Sequence, residues 1–126
     1  MNDLDDEDTW TETTRLTAVN AVDLPLPKVR FVLQQMNGEG APKRFRIDAP
    51  DLTLGRGVEA DLQIPSRDLS RLHLRIRCHN DECVIEDLNS SNGCFLNGAK
   101  VHSATLRNGD TIQLGRILFS FHEGTL

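Results

Sequence analysis

Asp87-Leu88-Asn89-Ser90-Ser91-Asn92-Gly93-Cys94-Phe95-Leu96-Asn97-Gly98 is the stretch on which the reading of this chain turns. Two Asn-Gly steps, Asn92-Gly93 and Asn97-Gly98, stand five residues apart around the strand-like Cys94-Phe95-Leu96. Asn and Gly tolerate positive φ, so each step marks a tight turn. Asn89, Ser90 and Ser91 lead into the first turn with small side chains dense in hydrogen-bonding groups. A loop this polar, held by a short apolar strand, reads as a rigid binding loop and not as a spacer.

Outward from that loop the hydrophobic period is two. Val29, Phe31 and Leu33 share one face of a strand, and Phe45 and Ile47 alternate with Arg44, Arg46 and Asp48. Leu52-Thr53-Leu54 and Asp61–Ile64 are two further short strands. Leu74, Ile76 and Cys78 alternate with Arg75 and Arg77, and His79-Asn80-Asp81 turns into Glu82–Asp87. Ile112 and Leu114 precede Ile117, Phe119 and Phe121 across Gly115-Arg116. No stretch carries a long 3.6-residue period. Many short strands between turn signals predict an all-β sandwich, two antiparallel sheets around one core. The 126 residues suffice for one such domain and an arm.

Charge divides the chain at the same place as periodicity. Residues 1–20 hold six acids (Asp3, Asp5, Asp6, Glu7, Asp8, Glu12) and one base, Arg15, whereas the remainder holds 13 of each. The net charge of −5 therefore belongs to the N-terminal segment. A neutral body with an acidic arm argues against nucleic acid, which needs a basic stripe to release counterions. The start is acidic rather than basic, and no apolar run approaches the ~20 residues of a membrane span. The expectation is a cytoplasmic protein with no membrane contact. Residues 1–28 read as a disordered, threonine-rich arm and linker ending in Asp23-Leu24-Pro25-Leu26-Pro27-Lys28, with residues 29–126 as the domain.

Cysteine and histidine give little chemistry. Cys78, Cys83 and Cys94 are odd in number and lack C-x-x-C spacing, so three reduced and mostly buried thiols are expected, with Cys94 the one to test for reactivity. His79, His102 and His122 show no metal-ligand grouping and read as surface residues; no metal or cofactor is implied. Gly38–Lys43 resembles the start of a phosphate-binding glycine loop but leads into a strand and lacks the Lys-Ser/Thr ending, so it reads as a hairpin turn. Ser70, His73 and Asp87 do not make a convincing triad without a nucleophile elbow. No enzyme is expected.

Three loops concentrate polar residues: Gly55-Arg56-Gly57, Ser66–His73 and Asn89–Gly93. In a sandwich they can cluster at one end. Arg56, set off by glycines, two hydroxyls from Ser70 and Ser91, the Asn92 amide and loop N–H groups would together suit a phosphate.

At this point the motifs resemble the forkhead-associated (FHA) domain in order and spacing: Gly55-Arg56, then Ser70-Arg71-Leu72-His73, Asn92-Gly93, Asn97-Gly98, Leu106–Asp110 and Ile112–Gly115. The resemblance covers about residues 29–123. It implies a β-sandwich of about eleven strands that binds phosphothreonine peptides through the loops at one end. It also implies that Arg56 and Ser70 contact the phosphate with help from Ser91, where many relatives carry threonine. Asn92 would hold the peptide backbone, and Arg71 would line the site. Gly55, His73, Gly93 and Asn97 would be the bracing members.

The arm carries a second, shorter resemblance. Thr11-Glu12-Thr13-Thr14-Arg15-Leu16 looks like the acidic twin-threonine segment of small actinobacterial FHA regulators of 2-oxoglutarate metabolism, although Arg15-Leu16 departs from their more apolar continuation. That group implies a Ser/Thr kinase acting on Thr13 or Thr14, autoinhibition when the phosphorylated arm binds its own FHA domain, and inhibition of 2-oxoglutarate-using enzymes by the unphosphorylated form. Thr13 is the first choice, because Leu16 lies three residues after it. About 15 residues separate Thr14 from the first strand, a coil span of roughly 20 Å and an extended reach of about 50 Å. The competing expectation is a scaffold or inhibitor that binds a partner enzyme through the loop face independently of phosphate.

Overall fold

The computed structural model describes residues 29–125, where the two-residue alternation builds eleven strands. Thr13, Thr14, Trp10 and the rest of segment 1–28 lie outside the described residues. In chain order the strands are β1 (Val29–Gln35), β2 (Lys43–Ile47), β3 (Asp51–Gly55), β4 (Leu62–Gln63), β5 (Leu74–His79) and β6 (Glu82–Asp87). They continue as β7 (Cys94–Leu96), β8 (Ala99–Val101), β9 (Ser103–Thr105), β10 (Thr111–Leu114) and β11 (Ile117–Thr125). A six-stranded sheet runs β8-β7-β10-β11-β1-β2, and a five-stranded sheet runs β9-β6-β5-β3-β4. Every pair is antiparallel except β3 with β4, where Leu54 and Gly55 run beside Leu62 and Gln63 in parallel.

The core is what the alternation demands. Phe31, Leu33, Phe45, Ile47, Phe119 and Phe121 face inward from the larger sheet. Leu54, Leu74, Ile76 and Ile85 meet them from the smaller one. Phe31 and Phe121 stack at 5.7 Å between centroids. Phe119 and Phe121 are wholly buried, each contributing about 1.5–3 kcal/mol of transfer free energy. Gln35 is the polar exception on β1, and it is satisfied: its Nε2 donates to the carbonyls of Asn37 and Glu39, both at 2.9 Å, and so fixes the turn into β2. Gly38 and Gly40 take positive φ there, so Gly38–Lys43 is a hairpin connection.

Register gathers the three polar loops. Leu54, next to the end of β3, pairs with Leu74 at the start of β5, and Leu74 pairs in turn with Asp87 at the end of β6. The segments that follow β3, precede β5 and follow β6 must therefore leave the sheet at the same end.

The cysteines depart from expectation. Cys78 and Cys83 form a disulfide, and only Cys94 is a free thiol. The cause is hairpin register. Asn80 and Asp81, both at positive φ, make a two-residue turn, which sets Cys78 directly opposite Cys83 with the Cα atoms 4.1 Å apart. Cys94 is buried rather than reactive, and burial, helped by the nearby Asp87 charge, pushes its thiol up to about 12. A thiol assay on the oxidised, folded chain should find no reactive cysteine at pH 8. After unfolding without reductant it should find one, and after reduction three; three before reduction would contradict the pairing.

Candidate functional site

The loop end is laced by backbone. The Arg56 N–H donates to Ser70 O at 2.9 Å, and the Gly57 N–H to Arg71 O at 3.0 Å. Gly55 is required by that approach, because a Cβ there would overlap Arg71 O and come within 2.9 Å of Ser70 O. Arg56 is exposed, and its Nε donates to Leu69 O at 3.1 Å, which aims the remaining nitrogens of the guanidinium outward.

His73 joins this pair of loops to the third. Its side chain is wholly buried. Nδ1 accepts from the Ser70 backbone N–H at 3.1 Å, so the ring proton resides on Nε2, which donates to Gly93 O at 2.8 Å. The Ser70 hydroxyl does not meet the imidazole; its Oγ accepts from the Ser91 N–H at 3.0 Å. Asp87 Oδ1 stays 3.9 Å from Nε2. Ser70, His73 and Asp87 are thus a bracing set, with no hydroxyl–imidazole contact to activate a nucleophile.

The Asn89–Gly93 loop is held from within. Ser90 Oγ donates to Asp87 Oδ1 and accepts from the Gly93 N–H at 2.9 Å. Asn89 and Gly93 take positive φ, a conformation that Asn and Gly tolerate. Asn92 Nδ2 donates to Asp68 O at 2.7 Å, leaving Oδ1 to accept. Asp68 is itself anchored: Arg116 donates to it from Nε at 3.0 Å, from Nη2 at 3.1 Å and from its backbone N–H at 2.8 Å. The Arg116 side chain first, then its N–H, hold the Asp68 carboxyl below the usual carboxylate range. Arg71 donates through Nη2 to both oxygens of Glu59, at 3.2 and 2.9 Å. A backbone hydrogen bond to Glu59 and then this guanidinium keep the Glu59 carboxyl low.

Arg56, Ser70, Arg71, Ser91 and Asn92 line one recess of about 410 Å³. All five residues singled out from the sequence for binding are in it, Arg71 with its charge already shared with Glu59. Gly55, His73 and Gly93 brace its walls. Asn97 braces elsewhere: its side chain bonds Asp110 Oδ1 at 3.0 Å and the Thr111 N–H at 2.9 Å, so it orders the entry to β10 and not the Asn92 loop. Sequence reasoning missed Arg67, a third arginine on the recess, and Asp68, the anchor of Asn92. Both lie in the Ser66–His73 loop, whose polarity was the available signal.

The family model described as "FHA domain" matches residues 52–115, which contain every residue of this recess. The chain belongs to the FHA-domain family. Its relatives include the glycogen accumulation regulator GarA of Mycolicibacterium smegmatis, 31% identical, with the match covering 94% of this chain and 85% of GarA. The oxoglutarate dehydrogenase inhibitor of Corynebacterium efficiens is 33% identical over 85% of this chain and 74% of its own. Among solved structures, an FHA domain from work on phosphothreonine-dependent FHA interactions superposes with a TM-score of 0.71 at 31% identity, covering 77% of this chain and 99% of that domain.

In this FHA domain, His73→Ala would leave the Ser70 N–H and the Gly93 carbonyl without partners and open a cavity. Urea unfolding should show a loss of about 3 kcal/mol. A loss below about 0.5 kcal/mol would contradict the bracing role.

Proposed function

We propose that this FHA domain is a phosphothreonine-peptide reader under Ser/Thr kinase control, and that its own phosphorylated Thr13 or Thr14 is one of its ligands. The observation that carries the reading is the convergence of Arg56, Ser70, Ser91 and Asn92 on a single recess at the loop end. A phosphate there would meet the guanidinium edge of Arg56, the Ser70 hydroxyl proton (its oxygen already accepts from Ser91) and the Ser91 hydroxyl. Asn92 Oδ1 is placed to accept a peptide N–H beside it. Arg67 adds charge at the rim.

Phosphothreonine dependence is supported by the structural neighbour from work on such interactions. The regulatory setting is supported by relatives named as a glycogen accumulation regulator and as an oxoglutarate dehydrogenase inhibitor. An enzyme that consumes 2-oxoglutarate is accordingly the partner class we assign, with the phosphorylated arm competing for the same loops. The inhibitor relative also favours a second reading, in which the partner enzyme binds the loop face with no phosphate of its own.

Calorimetry of the unphosphorylated full chain against a peptide of residues 8–20 tests the first reading. Phosphothreonine at 13 or 14 should bind saturably and the unmodified peptide should not. Arg56→Ala should weaken binding about 100-fold, roughly 2.7 kcal/mol. Equal affinity for modified and unmodified peptides, or binding indifferent to Arg56→Ala, would refute it. Partner binding that survives Arg56→Ala would favour the second reading.

A further inference from the structure

Strand register decides which side chains share the solvent face of the six-stranded sheet. Arg46 stands opposite Val32, Arg44 opposite Gln34, and Lys100 opposite Phe95. His122 and Ser120 continue those rows on β11. With Arg30 two residues ahead of Val32, this face carries four exposed cations, Arg30, Arg44, Arg46 and Lys100, and no outward carboxylate. Asp48 comes only after β2 has ended. Among the described residues, none of the four cations enters an ion pair.

The opposite sheet is built differently. Arg75 and Arg77 lie 3.3 and 3.9 Å from Asp51, and Arg75 stands across from Glu86. One face neutralises itself, whereas the other does not. Beside the unneutralised cations, Phe95 and Leu118, both partly exposed, flank Gln113 in one row that ends at Met36, which is 52% exposed, whereas Val32 stands two rows away between Arg46 and His122.

One stretch of this chain has the complementary composition: Asp3, Asp5, Asp6, Glu7, Asp8 and Glu12, with Leu4 and Trp10 among them. We propose that this acidic segment, residues 3–12, docks on the outer face of the six-stranded sheet. Its acids meet Arg30, Arg44 and Arg46, and Trp10 lies over Leu118 and Met36, one row from Arg44, where arginine also favours an indole face. The tether fits. Sixteen residues lie between Glu12 and Val29, a coil span of about 23 Å, and six strands about 4.8 Å apart make the sheet about 24 Å wide. Tethering at about millimolar effective concentration lets individually weak, salt-screened contacts suffice. The inference does not depend on phosphothreonine binding, since it concerns an unmodified segment and another surface.

The test uses the full, unphosphorylated chain with a nitroxide on Leu4→Cys. Cys78 and Cys83 are bonded and Cys94 is buried, so the label goes to one site. At low ionic strength the amide signals of Gln34, Arg46 and Ser120 should lose more than half their intensity, whereas those of Thr53, Arg75 and Val84 on the other sheet should not. Sodium chloride at about 0.5 M should abolish the difference. So should Arg44→Glu with Arg46→Glu. Neutralising the segment itself, Asp5→Asn, Asp6→Asn, Glu7→Gln and Asp8→Asn, should do the same while leaving the folded domain untouched. Trp10 emission should shift to the red in each case. Equal broadening on both faces, or broadening that survives charge reversal, would overturn the proposal. Broadening seen only when labelled chain is mixed with unlabelled chain would place the segment on a second copy and would likewise overturn it.

Discussion

Everything at the loop end depends on one buried imidazole. His73 offers one acceptor and one donor, and both are spent on backbone, the Ser70 N–H and the Gly93 carbonyl. A neutral ring of fixed tautomer is the side chain that can satisfy both groups at that separation in a dry interior. Its effect is to hold two loops, 20 residues apart in the chain, at one distance. Ser70 Oγ then meets the Ser91 N–H, and Asn92 finds Asp68 O. The recess is thus preorganised by a buried imidazole and the loop-to-loop hydrogen bonds around it, and a ligand need not bear the cost of ordering it.

The second constraint is close backbone approach. Gly55 has no side chain because Arg71 O occupies the space, and the same approach threads the Arg56 and Gly57 N–H groups onto the Ser70 and Arg71 carbonyls. Arg56 therefore projects from a backbone that is doubly anchored. Arg71 has a different situation: its guanidinium is shared with Glu59, so it lines the recess as a partly neutralised group. Arg116 acts at one remove, since it clamps Asp68, whose carbonyl holds Asn92. Charge on the sheet faces is organised on another principle, with one sheet self-neutralised and the other uniformly cationic. That asymmetry sits within a body whose charges balance and beside a segment whose charges do not.

Much of this was legible in the sequence because its causes are local. Alternation at Phe45 and Ile47 or at Leu74 and Ile76 reports a strand buried on one face, and Asn92-Gly93 reports a turn, whatever surrounds them. Arg56, Ser70, Ser91 and Asn92 stood out because each sits in a polar loop between apolar strands. What escaped depends on register or on distance in the chain. The Cys78–Cys83 bond follows from a two-residue turn placing positions five apart face to face, which parity and metal spacing do not reveal. The Asp68–Arg116 clamp joins residues 48 apart. Asn97, counted from sequence among the bracing residues of the site, instead serves the Asp110–Thr111 entry to β10 through its positive φ and its amide. The cationic face needs Lys100 and Arg44 brought onto one sheet, which only the strand order supplies.

Whether the loop end reads phosphothreonine is decided by an amide NMR titration of the full chain with the residue 8–20 peptide carrying phosphothreonine, phosphoserine or no phosphate at position 13. Saturable shifts are expected at Arg56, Ser70, Ser91 and Asn92, propagating to Gly93 through His73, with phosphothreonine only. Shifts of the same size with the unmodified peptide, or shifts confined to residues away from the recess, would contradict that reading.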